Sequence, residues 1–412
     1  MSKADLIAEC VLKTFEALPT KFKPRTLPAG QREWVPLAGI VLSRGELSAA
    51  TVTCAALATG MKCLPQSKLH LAQGNILHDW HAEILALRSF NRFLVDECVD
   101  LAKRGRGEHG QWVRWGQWRA DEPPFALHDD VKIHMYCSEA PCGDASMELT
   151  MSEQTDATPW KKQQYVGVDG LLGRGNFDQL GVVRRKPSRP DAPQCLSKSC
   201  SDKLALKQCT GLLSAVLALL VHPRNVYLST LVLPEKQVFC TAMERSFGRT
   251  GRMNLLAENE IQGSWQRYGY CFTPFEVQTT TATFAFSKPP KNDLAVSSNL
   301  SAVYTPQHQE VLINGVLQGR KLLDARGASC VSRRRMWQAV RDVIASAEVA
   351  HATIASEAQT YAELKQSPLL KGREIVKRDV RTLSLKGWKS NQGDESWNIT
   401  TKSEERVEPS VH

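Results

Sequence analysis

The chain has 412 residues, 42% hydrophobic and 23% charged, with a formal net charge of +9. That length can bury a large core without disulfide or metal staples, and the composition is ordinary for a soluble globular protein. The longest apolar run, residues 211–221, falls short of the roughly 20 residues that a membrane span requires. The basic excess suits RNA or another phosphate-rich partner. The twelve cysteines are irregularly spaced and no signal segment is visible. They read as reduced, intracellular thiols, in nucleus or cytoplasm.

In chain order, residues 3–18 are apolar at helical spacing, and a basic arm follows at Lys21, Lys23 and Arg25. Residues 36–43 and 49–59 are β-rich. Over 81–103, Ile84, Leu85, Leu87, Phe90, Phe93 and Leu94 recur with helical period. An insertion at 104–124 bears Trp112, Trp115 and Trp118, whose spacing predicts a helical stripe packed on the domain, the alternative being base stacking. Residues 131–137 alternate as a strand, and Pro141-Cys142-Gly143-Asp144 turns that strand into a short helix. A polar insertion at 152–199 has the length of a functional or disordered loop. Next come a helix at 201–220, a strand at 226–233 and a helix at 235–248. Residues 275–286 and 301–314 are β-rich, and helices follow near 328–346 and 357–383. The pattern predicts an α/β fold with a three-layer α/β/α core and a C-terminal extension of strands and helices. One domain covers 31–390, with a helix and basic arm at 1–30 and a polar flexible tail at 391–412.

His81-Ala82-Glu83 and Pro141-Cys142-Gly143-Asp144, each opening a helix, are how a hydrolytic zinc centre is assembled. Such a centre takes three protein ligands and keeps one position for water. His81 and Cys142 supply two. The usual Cys-x-x-Cys spacing would put the third at residue 145, which is alanine. Cys200 is the best remaining thiolate, because Ser199-Cys200-Ser201-Asp202-Lys203 starts a helix, where a thiol ionises readily. Glu83 is badly placed to share the metal and well placed to move protons as general acid and base. A structural zinc would be closed by a fourth Cys or His. The alternative is a non-catalytic RNA-binding protein with such a zinc.

These three motifs together resemble the adenosine deaminases that act on RNA, and the likeness runs from Leu37-Ala38-Gly39-Ile40-Val41 to Gly387-Trp388. The resemblance implies a cytidine-deaminase-like core, a hydrolase that makes inosine, zinc on His81, Cys142 and Cys200, and Glu83 as the catalytic residue. Within the family the chain looks like the tRNA-acting branch, whose substrate is adenosine 37 of alanine tRNA. The alternative within the family is a double-stranded RNA adenosine deaminase; those enzymes carry duplex-binding domains ahead of the catalytic fold, for which the roughly 30 residues expected before it here leave no room. The loop at 181–191 also resembles the tRNA branch. Its Arg184, Arg185, Lys186 and Arg189 suit phosphate contacts, the alternative being a solvated loop.

Arg88, two helical turns after His81, and Lys203, three residues after Cys200, should face the interior behind the metal with no obvious carboxylate. A buried polyanion is one solution, and the family implies inositol hexakisphosphate. By resemblance its contacts are Arg88, Ser197, Lys203 and Arg333, with Tyr361, Lys365 and Trp388. Leu87 and Leu206 stand where the editing enzymes place arginines. The alternative is an internal salt-bridge network through Asp79, Glu83 or Asp202.

Overall fold

Side chains along residues 37–44 alternate between two apolar cores, and that alternation sets the layering. Ala38, Ile40 and Leu42 join the core of the long helix at 82–104, whereas Leu37 and Val41 join that of the N-terminal helix. The computed structural model describes all residues except 29, 50, 117–121, 153–170, 174–177, 187–191, 290–294, 348–357 and 400–412. An eight-stranded sheet lies at the centre. Its strands are β1 (Leu37–Arg44), β2 (Val52–Thr59), β3 (Val131–Cys137), β4 (Leu228–Pro234), β5 (Glu276–Thr280), β6 (Leu300–Tyr304), β7 (Gln309–Ile313) and β8 (Val316–Leu317). They lie in the order β5-β4-β3-β1-β2-β6-β7-β8. β3, β4 and β5 are parallel to one another, so their C-terminal ends share one edge; the other pairs are antiparallel.

Helix α1 (Lys3–Glu16) covers one face of the sheet through Ile7, Ala8, Val11 and Phe15. It is part of the core. The Thr280 hydroxyl reinforces it by donating to Asp5 Oδ1 at 2.8 Å. Helix α2 (Ala82–Arg104) packs on the other face. α3 (Met147–Ser152), α4 (Cys200–Thr210), α5 (Cys240–Phe247) and α6 (Asn259–Gln266) follow, then α7 (Arg333–Ser346), α8 (Tyr361–Lys365) and α9 (Lys371–Leu383). This is the expected α/β/α arrangement. No helix among the described residues is long and apolar enough to cross a membrane.

Four details depart from the sequence reading. The helix expected at 201–220 stops at Thr210, where Gly211 takes φ +61°. Beyond it an irregular apolar run is held by side chains: Lys207 Nζ donates to the Leu212 and Leu213 carbonyls, and Arg373 donates to those of Thr210 and Leu213. The helix expected at 357–383 is broken between α8 and α9 by Pro368. The tryptophan stripe is not helical, since Val113–Trp115 is a strand paired with Phe125–Leu127. Trp112 is nonetheless buried, and Trp118 lies outside the described residues.

The fourth concerns the C-terminus. Asp394, Trp397 and Ile399 are buried, so the chain is anchored past 391, where the flexible tail was expected to begin. The Trp397 ring stacks on Tyr361 at 5.0 Å, and Arg334 lies 4.5 Å above it. Trp397→Ala is expected to cost about 3–5 kcal/mol, as large-to-small core changes do, measured as a lower urea midpoint with an unchanged slope.

Candidate active site

α2 and α4 point their N-termini at one place, and the turn after β3 fills the space between them. His81 is the N-cap of α2, Cys200 is the first residue of α4, and Cys142 lies in the turn. One ligand atom from each lies within 4.8 Å of the others. Cys142 Sγ is 3.7 Å from His81 Nδ1 and accepts the Cys200 N–H at 3.4 Å. The structure therefore brings together the three side chains that the motifs selected.

Each residue of Ser199–Lys203 has a separate task here. Ser199 caps α4 by accepting the Asp202 N–H at 3.1 Å, and its hydroxyl donates to Asp202 Oδ2 at 2.6 Å. Ser201 fastens α4 to the Cys142 turn: its hydroxyl donates to the Pro141 and Cys142 carbonyls and accepts the Ala145 N–H at 3.1 Å. Asp202 is buried and pairs with Arg252 at 2.7 Å. Lys203 reaches Asp79 and donates to Ser197 Oγ at 2.7 Å.

Gly143 makes the close approach of the two cysteine segments possible. It sits at φ +106°, and a Cβ there would lie 2.3 Å from Ser199 Oγ. Gly143→Ala adds both overpacking and backbone strain, about 1–3 kcal/mol each. It is expected to lower bound zinc, read by elemental analysis, by pushing Ser199–Cys200 away from Cys142.

Asp79 is the polar hub behind the centre. Its buried carboxylate accepts the His81 N–H at 3.0 Å, Lys186 Nζ at 2.7 Å, the Ser197 hydroxyl at 2.8 Å, and Lys203. Burial works against its charge, but Lys186 and Lys203 outweigh burial and hold the carboxyl well below its usual range. Lys186 also donates to Cys200 Sγ at 3.3 Å, so a continuous polar path joins Lys203 to a metal-site thiol. Lys203 is accordingly not the uncompensated cation that its position suggested.

The basic loop needs a second correction. Residues 184–186 run beside 197–199 in a short ladder, with Lys186 N–H donating to the Ser197 carbonyl and Ser199 N–H to that of Arg184. Period-two geometry then turns Arg184 and Lys186 inward together. Both are buried, and Arg184 donates to the Gly173 and Gln179 carbonyls. The assignment of these two residues to RNA contact fails, because their charges are used inside the protein. Arg185 is half-buried, and Arg189 lies outside the described residues. Sequence reasoning missed Lys186 as part of the site.

Glu83 is buried in the first turn of α2. Burial first, and then the nearby Cys142 thiolate, raises its carboxyl above the usual glutamate value, while His81 and Lys186 oppose that shift. Cys142 is held well below a normal thiol by sharing its hydrogen bond with Cys200 and by the Lys186 and His81 charges; burial pushes Cys200 the other way. The donor set fits zinc: two thiols and one imidazole, with Cys200 at a helix N-terminus and Cys142 held low by its neighbours. Among the described residues no fourth Cys, His or carboxylate joins the cluster.

Behind this centre a cavity of about 1250 Å³ is lined by nine lysines and arginines against three carboxylates. Arg88, Ser197, Lys203, Arg333, Lys365 and Trp388 all face it. Tyr361 forms part of the adjoining wall, with Arg333 and Lys365 5.5 and 5.2 Å from its ring centroid. Arg88 donates to the Val331 carbonyl at 3.0 Å, with no carboxylate partner among the described residues. Leu87 and Leu206 are in the apolar core, and α9 supplies positive charge through Lys371, Lys377, Arg378 and Arg381. The crowding is costly. Burial and the Lys203 charge lower Lys198 to about 7, and burial and Arg373 lower Lys377 to about 8. Burial and Arg333 bring Arg88 down to about 10. A polyanion in this cavity would relieve all three.

An adenosine-deaminase (editase) domain profile matches residues 56–391. The tRNA-specific adenosine deaminase 1 of Schizosaccharomyces pombe is 36% identical over 95% of this chain and 96% of its own length. The protein of the same name from Saccharomyces cerevisiae is 33% identical over 65% of this chain and 66% of its own length. The mouse double-stranded RNA-specific editase B2 is 29% identical over 56% of this chain and 32% of its own length. With its zinc-type donor set, buried glutamate and matched length, the chain belongs to the adenosine-deaminase (editase) family and is an adenosine deaminase.

Proposed function

We propose that this enzyme converts adenosine 37 of alanine tRNA, 3′ of the anticodon, to inosine, using zinc held by His81, Cys142 and Cys200. The observation that carries the chemistry is the buried Glu83 carboxyl beside a three-donor cluster. The tRNA substrate is supported by the relative that is 36% identical over nearly the whole of both chains. Bound zinc supplies Lewis acidity that makes water a nucleophile near neutral pH. Glu83 takes a proton from that water as its oxygen bonds to C6 of adenine. Glu83 then returns a proton to the departing amine, so that adenosine and water give inosine and ammonia. Asp79 fixes the His81 backbone, and Lys186 steadies the Cys200 thiolate. A single-stranded loop presents the base at low unstacking cost. Arg185 and Arg189 are the phosphate contacts proposed for the basic loop.

Inositol hexakisphosphate is the polyanion proposed for the cavity, held by Arg88, Ser197, Lys203, Arg333, Lys365 and Trp388, with Tyr361 orienting two of the cations. The twelve free cysteines support work in a reducing compartment inside the cell.

The test of substrate is to incubate purified protein with alanine tRNA, duplex RNA and free adenosine, and to sequence the RNA for inosine. Conversion confined to the nucleotide 3′ of the anticodon is expected; conversion of duplex RNA alone would overturn the tRNA reading. Denaturing the protein should release a polyphosphate seen by ³¹P NMR, in stoichiometric amount. A phosphate-free extract would overturn the cavity assignment.

A further inference from the structure

Phe239 is the one aromatic among the exposed large apolar side chains of the described residues, 40% accessible. Exposure alone says little, because single exposed apolar residues are ordinary; its position says more. It lies in the connection from β4 to α5, where Val238 (φ −110°, ψ 118°) and Phe239 (φ −108°, ψ 112°) are extended. Val238 and Cys240 both line a groove against the start of α1 and β5. The residue between them, the extended N-cap of α5, is absent from that groove and projects away from it.

Polar contacts tie this connection to the metal-site turn. The Ala140 N–H donates to Gln237 Oε1 at 2.9 Å, and Ala140 is two residues before Cys142. On the other flank of the same turn, the Gly181 N–H donates to Asp144 Oδ1 at 2.7 Å. The preceding residue, Leu180, is 39% accessible. Exposed apolar residues therefore lie within two positions along the chain of the groups that hold both ends of this turn. A target adenine must leave its stack to reach Glu83, which leaves its neighbour with a bare face.

We propose that Phe239 is a positioning residue that stacks on a nucleobase adjacent to the target adenosine. The inference rests on the reading of this chain as an RNA adenosine deaminase. An aromatic platform accepts any base, because every base has a π face, and its removal weakens binding about tenfold or more.

The test uses the full chain with zinc bound and alanine tRNA carrying 2-aminopurine next to the target. Phe239→Leu keeps the apolar bulk and removes the ring; Phe239→Trp restores one. Phe239→Leu should raise KM about tenfold with kcat within about twofold. The quenching of 2-aminopurine seen with wild type and Phe239→Trp should also be lost. Leu323→Ala, on an exposed residue outside the site, should change nothing. Unchanged KM and quenching in Phe239→Leu, or a fall in kcat and zinc content instead, would overturn the proposal. If wild type deaminates no RNA, the functional reading fails and takes this inference with it.

Discussion

Glu83→Gln is expected to lower the deamination rate by about 10²–10⁴-fold, the range that a positioned general acid/base contributes, while zinc content and fold are retained. Glutamine has nearly the same shape and leaves the three metal donors untouched, but it can neither accept the water proton nor deliver one to the amine. The change should not destabilise the protein. Burial and the Cys142 thiolate raise the Glu83 carboxyl, so its ionised form is held at a cost that a neutral amide avoids. Elemental analysis, thermal unfolding and single-turnover kinetics on one preparation would check all three expectations. A variant that kept its rate would reduce the site to a structural zinc and remove the case for hydrolysis at this centre. Loss of zinc along with rate would mean that Glu83 supports the metal, which its place in the first turn of α2, outside the three-donor cluster, argues against.

The three-donor cluster was legible because each motif carries its own signal. Ser199 caps its own helix, Ser201 reaches only the adjacent turn, and the identities of His81, Cys142 and Cys200 state their chemistry. Lys186 was not legible. A run of arginines and lysines has the same composition whether it faces phosphate or Asp79, and only the 184–186 ladder against 197–199 distinguishes the two. The shared side of residues 184 and 186 in an extended strand was the available signal. The apolar run after Gly211 looked helical because burial on all sides erases the period that separates helix from irregular chain. Its carbonyls are satisfied by Lys207 and by Arg373 and Asn91, the last two remote in sequence. Trp397 and Ile399 were lost in a polar stretch for the opposite reason, since two apolar residues make no pattern.

Asp79→Asn should cost about 3–5 kcal/mol of stability, the usual cost of leaving a buried charge without its partner. The substitution keeps the shape and the acceptor for the His81 N–H. It strips the counter-charge from Lys186, which is buried, and from Lys203 at the cavity wall. Zinc binding should weaken too, because the His81 backbone and the lysine beside Cys200 lose their common anchor. The pH dependence has a definite sign. The folded carboxyl titrates well below the unfolded value of 3.8. Its stabilisation is therefore fully present above about pH 4 and is lost as pH falls further, through the folded value. The gap between wild type and Asp79→Asn should accordingly be flat from about pH 5 to 8 and close only in stronger acid. Adding Lys186→Met removes the orphaned cation and should restore part of the stability, with a coupling energy that a double-mutant cycle reads directly. If Asp79→Asn matched wild type across the neutral range, Lys186 would be held by the thiolates alone, and the path from Lys203 to Cys200 would carry no energy.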